Sequence, residues 1–115
     1  MTIDTLNPPQ WITVCNESDL IADTGVCAIH NGEQVAIFKP ALASELFAVS
    51  NFDPFGKANV ISRGMTGSVG DNLVVASPLY KQHFNLRTGK CLEDDSKALK
   101  TYQIRIDAGQ VQLLI

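Results

Sequence analysis

The dipeptide Asn31-Gly32 separates two β-prone runs, Gly25-Val26-Cys27-Ala28-Ile29-His30 and Gln34-Val35-Ala36-Ile37-Phe38. A two-residue connection of this type needs positive φ at both central residues, so it predicts a tight hairpin and two antiparallel strands in register. The same pattern recurs along the chain. Trp11 to Cys15 is aromatic and β-branched ahead of the polar break Asn16-Glu17-Ser18-Asp19, and Pro8-Pro9 keeps what precedes it extended. Pro40 ends the second hairpin strand, and Glu45 to Ser50 supplies another β-prone run.

Further on, Leu73 to Ala76 reads as a short apolar strand. Lys81 to Leu86, the turn Arg87-Thr88-Gly89 and the return arm Cys91-Leu92 form a second hairpin, and Tyr102 to Ile106 with Gln110 to Leu114 form a third around Asp107-Ala108-Gly109. Gly56 to Gly70 holds four glycines without sustained periodicity and predicts a long loop. Asp94 to Lys100 has acids first and lysines last, which suits a helical turn or an irregular loop equally. Short strands with turn signals between them predict an all-β, antiparallel sandwich or barrel.

At 115 residues and 45% hydrophobic content the chain, 1–115, is expected to be a single domain. A formal net charge of −3 argues against nucleic acid as a partner. No apolar run of about 18 residues is present, so no membrane-spanning helix is expected. Met1 to Gln10 carries neither Lys nor Arg and no apolar core, which predicts that no secretory signal is present. Three cysteines, Cys15, Cys27 and Cys91, form no Cys-x-x-Cys pair, which predicts a reduced, cytoplasmic protein.

Few residues invite a chemical reading. Cys27 and His30 have the spacing of half a metal site, but in an alternating strand they face opposite ways, and a full site needs about four ligands. His83 lacks a nucleophile to serve and reads as a hairpin-edge imidazole. Cys91 beside Leu92 reads as core. Gly64, Gly67 and Gly70 lack the strand and helix that a dinucleotide loop requires. Asp53 reads as a turn residue capping its own backbone. Charge is more informative. Lys57, Arg63, Lys81, Arg87 and Lys90 lie in one third of the sequence against Asp71 alone. That positive stretch predicts either a solvated loop face or a docking surface for an acidic partner.

Ser77-Pro78-Leu79-Tyr80 followed by Phe84-Asn85-Leu86-Arg87-Thr88-Gly89-Lys90-Cys91-Leu92 resembles the second half of a Rieske iron–sulfur site, Cys-Pro-Leu-His and then Phe-Asp-Leu-x-Thr-Gly-x-Cys-Leu. Asn51-Phe52-Asp53-Pro54-Phe55 resembles the first half, Asn-x-Cys-Pro-His. The resemblance therefore places Asp53, Phe55, Ser77 and Tyr80 at the four ligand positions. A Rieske centre is held by two thiolates and two imidazoles, and such clusters select these donors over hydroxyl and phenol oxygens. Phe55 has no lone pair at all. The resemblance implies an antiparallel β-sandwich in which about 51–92 form a small ligand-loop subdomain without its cluster. Phe55 and Tyr80 are expected to pack the vacated space.

With Ser62-Arg63-Gly64-Met65 and Ser77 to Gln82 included, the chain from about Trp11 onward resembles the small subunit of the cytoplasmic NADH-dependent nitrite reductase. That resemblance implies a large catalytic subunit carrying FAD, siroheme and an iron–sulfur cluster and reducing nitrite to ammonium. It implies no cofactor, no metal and no catalytic residue in this chain. In Rieske proteins the ligand loops meet the redox partner, so Arg63, Lys81 and Arg87 are the expected docking residues, with Phe55 and Tyr80 nearby. Two other classes stay open. An electron-transfer ferredoxin with unusual ligands would show visible absorbance, and a free-standing small-molecule-binding domain would copurify with no flavin- and heme-bearing partner.

Overall fold

The computed structural model describes residues 8–115. The reading of the N-terminal run falls largely outside these residues. In chain order the strands are β1 (Trp11–Asn16), β2 (Gly25–His30), β3 (Glu33–Phe38), β4 (Phe47–Ser50), β5 (Phe52–Asp53) and β6 (Ala58–Asn59). They continue with β7 (Met65–Val69), β8 (Asn72–Ala76), β9 (His83–Asn85), β10 (Thr101–Tyr102), β11 (Ile104–Asp107) and β12 (Gln110–Leu114). Two single 3-10 turns, Glu17–Asp19 and Ile61–Arg63, are the only helical segments among the described residues.

The Asn31-Gly32 hairpin forms as expected, with φ of 51° and 81°, and pairs β2 with β3 from His30–Glu33 back to Gly25–Phe38. Glycine at position 32 takes this conformation without a Cβ penalty. β4 pairs with the other side of β3, and β10 with β4, giving a four-stranded sheet ordered β10-β4-β3-β2. β3 is apolar on both faces because it is buried on both faces. Val35 and Ile37 join Ala48, Val111 and Leu113 in one core, under the sheet β1-β12-β11. Ala36 and Phe38 join Phe47, Val49, Ile61, Val75, Phe84 and Leu86 in the other, under the sheet β7-β8-β9. Such two-sided burial suits a continuous apolar run better than an alternating one.

The expected long loop from Gly56 to Gly70 is corrected. It contains β6, the 3-10 turn Ile61–Arg63 and β7, which pairs with β8 from Met65–Ala76 to Val69–Asn72. Ile61 is buried, whereas none of the β7 residues Met-Thr-Gly-Ser-Val is, so its hydrophobic signal is faint. Asp94 to Lys100 adopts the irregular alternative, joined to the 85–90 hairpin by a bridge between Lys90 and Ala98. The C-terminal hairpin turns at Ala108-Gly109, both with positive φ.

Candidate functional site

Two five-residue loops define the end of the β7-β8-β9 layer. Asp53-Pro54-Phe55-Gly56-Lys57 leads from β5 to β6, and Ser77-Pro78-Leu79-Tyr80-Lys81 leads from β8 to β9. They share one local plan. The Lys57 N–H donates to the Asp53 carbonyl at 2.7 Å, and the Lys81 N–H to the Ser77 carbonyl at 3.1 Å. Both lysines are left-handed, at φ 55° and 63°. Asp53 Oδ1 accepts from the N–H groups of Phe55 (2.8 Å) and Gly56 (3.2 Å), and Ser77 Oγ accepts from that of Leu79 (3.2 Å). Short oxygen-bearing side chains stabilise turns by bonding backbone two residues ahead, and proline in second place presets φ. The backbone cap expected of Asp53 is therefore present.

Asp53 and Ser77 are fully buried, at 0% and 1% exposure, and the Ser77 hydroxyl donates to Asp53 Oδ2. The carboxylate thus accepts from three donors. A buried carboxylate without such partners would cost several kcal/mol, and hydrogen bonds to a charged acceptor are among the stronger ones. The two other motif positions part company. Phe55 packs against the core with its ring centroid 6.1 Å from that of Phe84. Tyr80, expected to pack inward beside it, is 62% exposed. Leu79, not Tyr80, closes on the first loop: a Cβ on Gly56 would strike Leu79 Cδ1.

Two further residues hold the loops in place. Asn51 is buried, its Oδ1 accepting from the Ser62 N–H at 2.6 Å and its Nδ2 donating to Gln34 Oε1 at 2.9 Å. Its carbonyl accepts from the Ile61 N–H at 3.1 Å, so one side chain and one peptide tie the 61–63 turn to β3. Gly64 follows that turn, and a Cβ there would run into the Ala76 carbonyl oxygen, with Val75 Cγ2 at 2.9 Å. In the sequence Gly64 reads as a turn glycine, and Asn51 is part of a motif with no role of its own. A polar residue opening a turn-rich motif was the available signal for Asn51, but its partners at 27, 34 and 62 are invisible without the pairing register.

Around this scaffold, Arg63, Met65, Pro78 and Lys81 line an indentation of about 190 Å³. Neither cation has an ion-pair partner among the described residues. Met65 is exposed beside them, and Leu79 and Tyr80 are exposed in the loop that ends at Lys81. Arg87 is elsewhere, past the other end of β9. Its guanidinium pairs with Glu45 at 2.6 Å and lies 5.1 Å from the Phe47 ring centroid, over a separate groove that includes Trp11 and Tyr102. Of the three expected docking residues, the structure brings together Arg63 and Lys81 and sets Arg87 apart.

The remaining candidates stay apart too. Cys27 contacts Gln34 and Asn51, whereas His30 sits at the hairpin edge against Asn31. His83 Nδ1 lies 2.7 Å from Glu93 Oε2 on a half-exposed strand. Burial pushes the thiols of Cys15, Cys27 and Cys91 up, away from thiolate. Among the described residues no three His, Cys, Asp or Glu side chains converge as metal ligands, and no helix is long and apolar enough to cross a membrane.

The Rieske-like [2Fe-2S] domain model matches residues 10–114. The nitrite reductase (NADH) small subunit of Salmonella typhimurium is 48% identical over 104 residues, 90% of this chain and 96% of that one. The solution structure of the nitrite reductase [NAD(P)H] small subunit from Erwinia carotovora superimposes with a TM-score of 0.77 at 45% identity, covering 91% of this chain and 81% of that one. A segment making up 10% of the nitrite reductase [NAD(P)H] large subunit of Klebsiella oxytoca is 31% identical over 101 residues, 88% of this chain.

Proposed function

We propose, from the premise that this chain belongs to the Rieske-like [2Fe-2S] domain family and within it to the nitrite reductase (NADH) small subunits, that it is an accessory subunit docking on a large catalytic subunit. The observation that carries this reading is the identity to the Salmonella small subunit along nearly its whole length. The Klebsiella protein adds that a domain of this type can share one polypeptide with a large subunit, which suits stable association. The reaction served is NADH-dependent reduction of nitrite to ammonium, with FAD, siroheme and an iron–sulfur cluster belonging to the partner.

The family's cluster does not fit the residues present. Its sulfur positions hold Asp53 and Ser77, bonded to each other, and its imidazole positions hold a core phenyl ring and an exposed phenol. No electron-transfer step is assigned to the chain. Residues 51–92 are proposed as the docking subdomain, with Arg63 and Lys81, two cations that share one indentation, and with Met65, Leu79 and Tyr80 as exposed apolar contacts. Exposed apolar side chains rimmed by charge are the usual anatomy of an interface, the charges acting chiefly on encounter and orientation.

Copurification with the large subunit from cells grown on nitrite, followed by nitrite-dependent NADH oxidation with and without the chain, tests the assignment. The expected result is a stable complex and a colourless small subunit free of stoichiometric iron and sulfide. A chain that purifies alone with a visible [2Fe-2S] spectrum overturns it.

A further inference from the structure

We propose that the Asp53–Ser77 pair is an inter-loop clamp that fixes the relative position of the two loops and thereby presents Arg63, Lys81 and Tyr80 as one rigid surface. The presentation half rests on the docking reading above; the clamp itself does not. Three features carry the inference. The loops are local copies of each other, each with an i+2 side-chain cap, an i+4 backbone bond and a left-handed lysine at its close. The caps at the first position of each copy are bonded across the gap, Ser77 hydroxyl to Asp53 carboxylate, with both residues excluded from water. Leu79 lies over Gly56 between the copies and is itself partly exposed, so the clamp bond lies beneath a contact open to solvent.

A polar bond excluded from water thus joins the two loops. Each loop is capped internally, and the bond between the caps is the side-chain hydrogen bond that sets one loop against the other. Loop two then ends in Lys81 and continues into β9, while Gly64, packed on the Ala76 carbonyl, places Arg63 and Met65 alongside. Asp53 and Ser77 are positioning residues in this account, because neither reaches the surface.

Local symmetry supplies a discriminating test, since both positions offer the same i+2 cap. Ser77→Ala orphans Asp53 Oδ2, Ser77→Asp sets two carboxylates against each other, and the exchange D53S/S77D restores one donor and one acceptor. Amide exchange across 53–57 and 77–82, urea unfolding and affinity for the large subunit are measured on the full chain. Ser77→Ala is expected to speed exchange in both loops about tenfold, the size of a typical orphaned buried acceptor. The exchanged pair is expected to recover protection and affinity together. D53A/S77A, which also strips the caps from the Phe55, Gly56 and Leu79 N–H groups, is expected to be less stable in urea than Ser77→Ala and to keep fast-exchanging loops and low affinity. Ser77→Ala loops that exchange like the wild type, or an exchanged pair no better protected than Ser77→Ala, overturn the clamp. Fast-exchanging loops with undiminished affinity overturn its presenting role. A wild-type chain that binds no large subunit refutes the docking reading alone, because the exchange measurements still judge the clamp.

Discussion

Replacing Asn51 by alanine tests whether the 61–63 turn is held by one buried amide. The side chain makes two bonds of ordinary length, to the Ser62 N–H and Gln34 Oε1, with a longer contact to Cys27 Sγ at 3.5 Å. Truncation removes two hydrogen bonds worth about 1 kcal/mol each and leaves the Ser62 donor without its acceptor, an orphaning that costs about 1–3 kcal/mol. Because these figures overlap, the expected loss is about 2–4 kcal/mol. A domain of this size has only about 5–15 kcal/mol of stability in total, so the melting temperature should fall by roughly 10 °C or more. Gln34→Ala, which removes one partner and spares the Ser62 bond, should cost about 1 kcal/mol and couple with Asn51→Ala in a double-mutant cycle. Urea unfolding of the four proteins gives the energies, and amide exchange locates the damage. If Asn51→Ala costs less than about 0.5 kcal/mol, or the faster exchange lies outside residues 60–64, the bonding described here does not hold that turn.

Gly64→Ala should destabilise by about 1–3 kcal/mol, since backbone rather than a yielding side chain meets the new methyl group, and circular-dichroism melts would register it. Charge reversal in R63E/K81E should weaken association with the large subunit and make the remainder less sensitive to salt, whereas Arg87→Glu should act mainly by breaking its pair with Glu45; equal effects on binding would place Arg87 at the interface after all. Lys81→Gly should keep the left-handed turn while removing the charge, so it should bind more weakly with no loss of thermal stability. The Tyr102 hydroxyl, with Lys100 beside it, holds the Glu33 carboxyl below its ordinary 4.5 despite some desolvation. A depressed folded-state pKa contributes stability above about pH 4.5 that is lost as the pH falls, so Glu33→Gln should flatten the acid side of the stability profile.

The hairpins were legible because their signals are local. Asn31-Gly32 needs only its own φ values, and the β-prone run Gln34 to Phe38 marks the second arm, though not that it is buried on both faces. β7 was hidden because its residues, Met-Thr-Gly-Ser-Val, are largely solvent-facing and draw their order from pairing with β8. The four motif positions were legible as substitutions, but not their fates. Nothing in residues 77–81 says that Leu79 rather than Tyr80 turns toward the first loop. Arg87 groups with Lys81 in sequence by charge within one positive stretch, yet β9 runs between them and delivers Arg87 to Glu45 and Phe47.

The four motif positions also differ in what each must satisfy in the folded domain. Here the inner pair of positions carries an acceptor and a donor, Asp53 and Ser77, while the outer pair is free to serve other ends: Phe55 turns into the core against Phe84, and Tyr80 turns out to solvent. Only the inner pair is constrained by the need to satisfy buried polar groups, because an unpartnered carboxylate at 0% exposure would be costly. Tyr80 bears no such constraint and tolerates exchange as far as folding is concerned. Tyr80→Ala should therefore leave urea stability within about 0.5 kcal/mol, as surface substitutions generally do, and any loss it causes in complex formation would report on the interface itself.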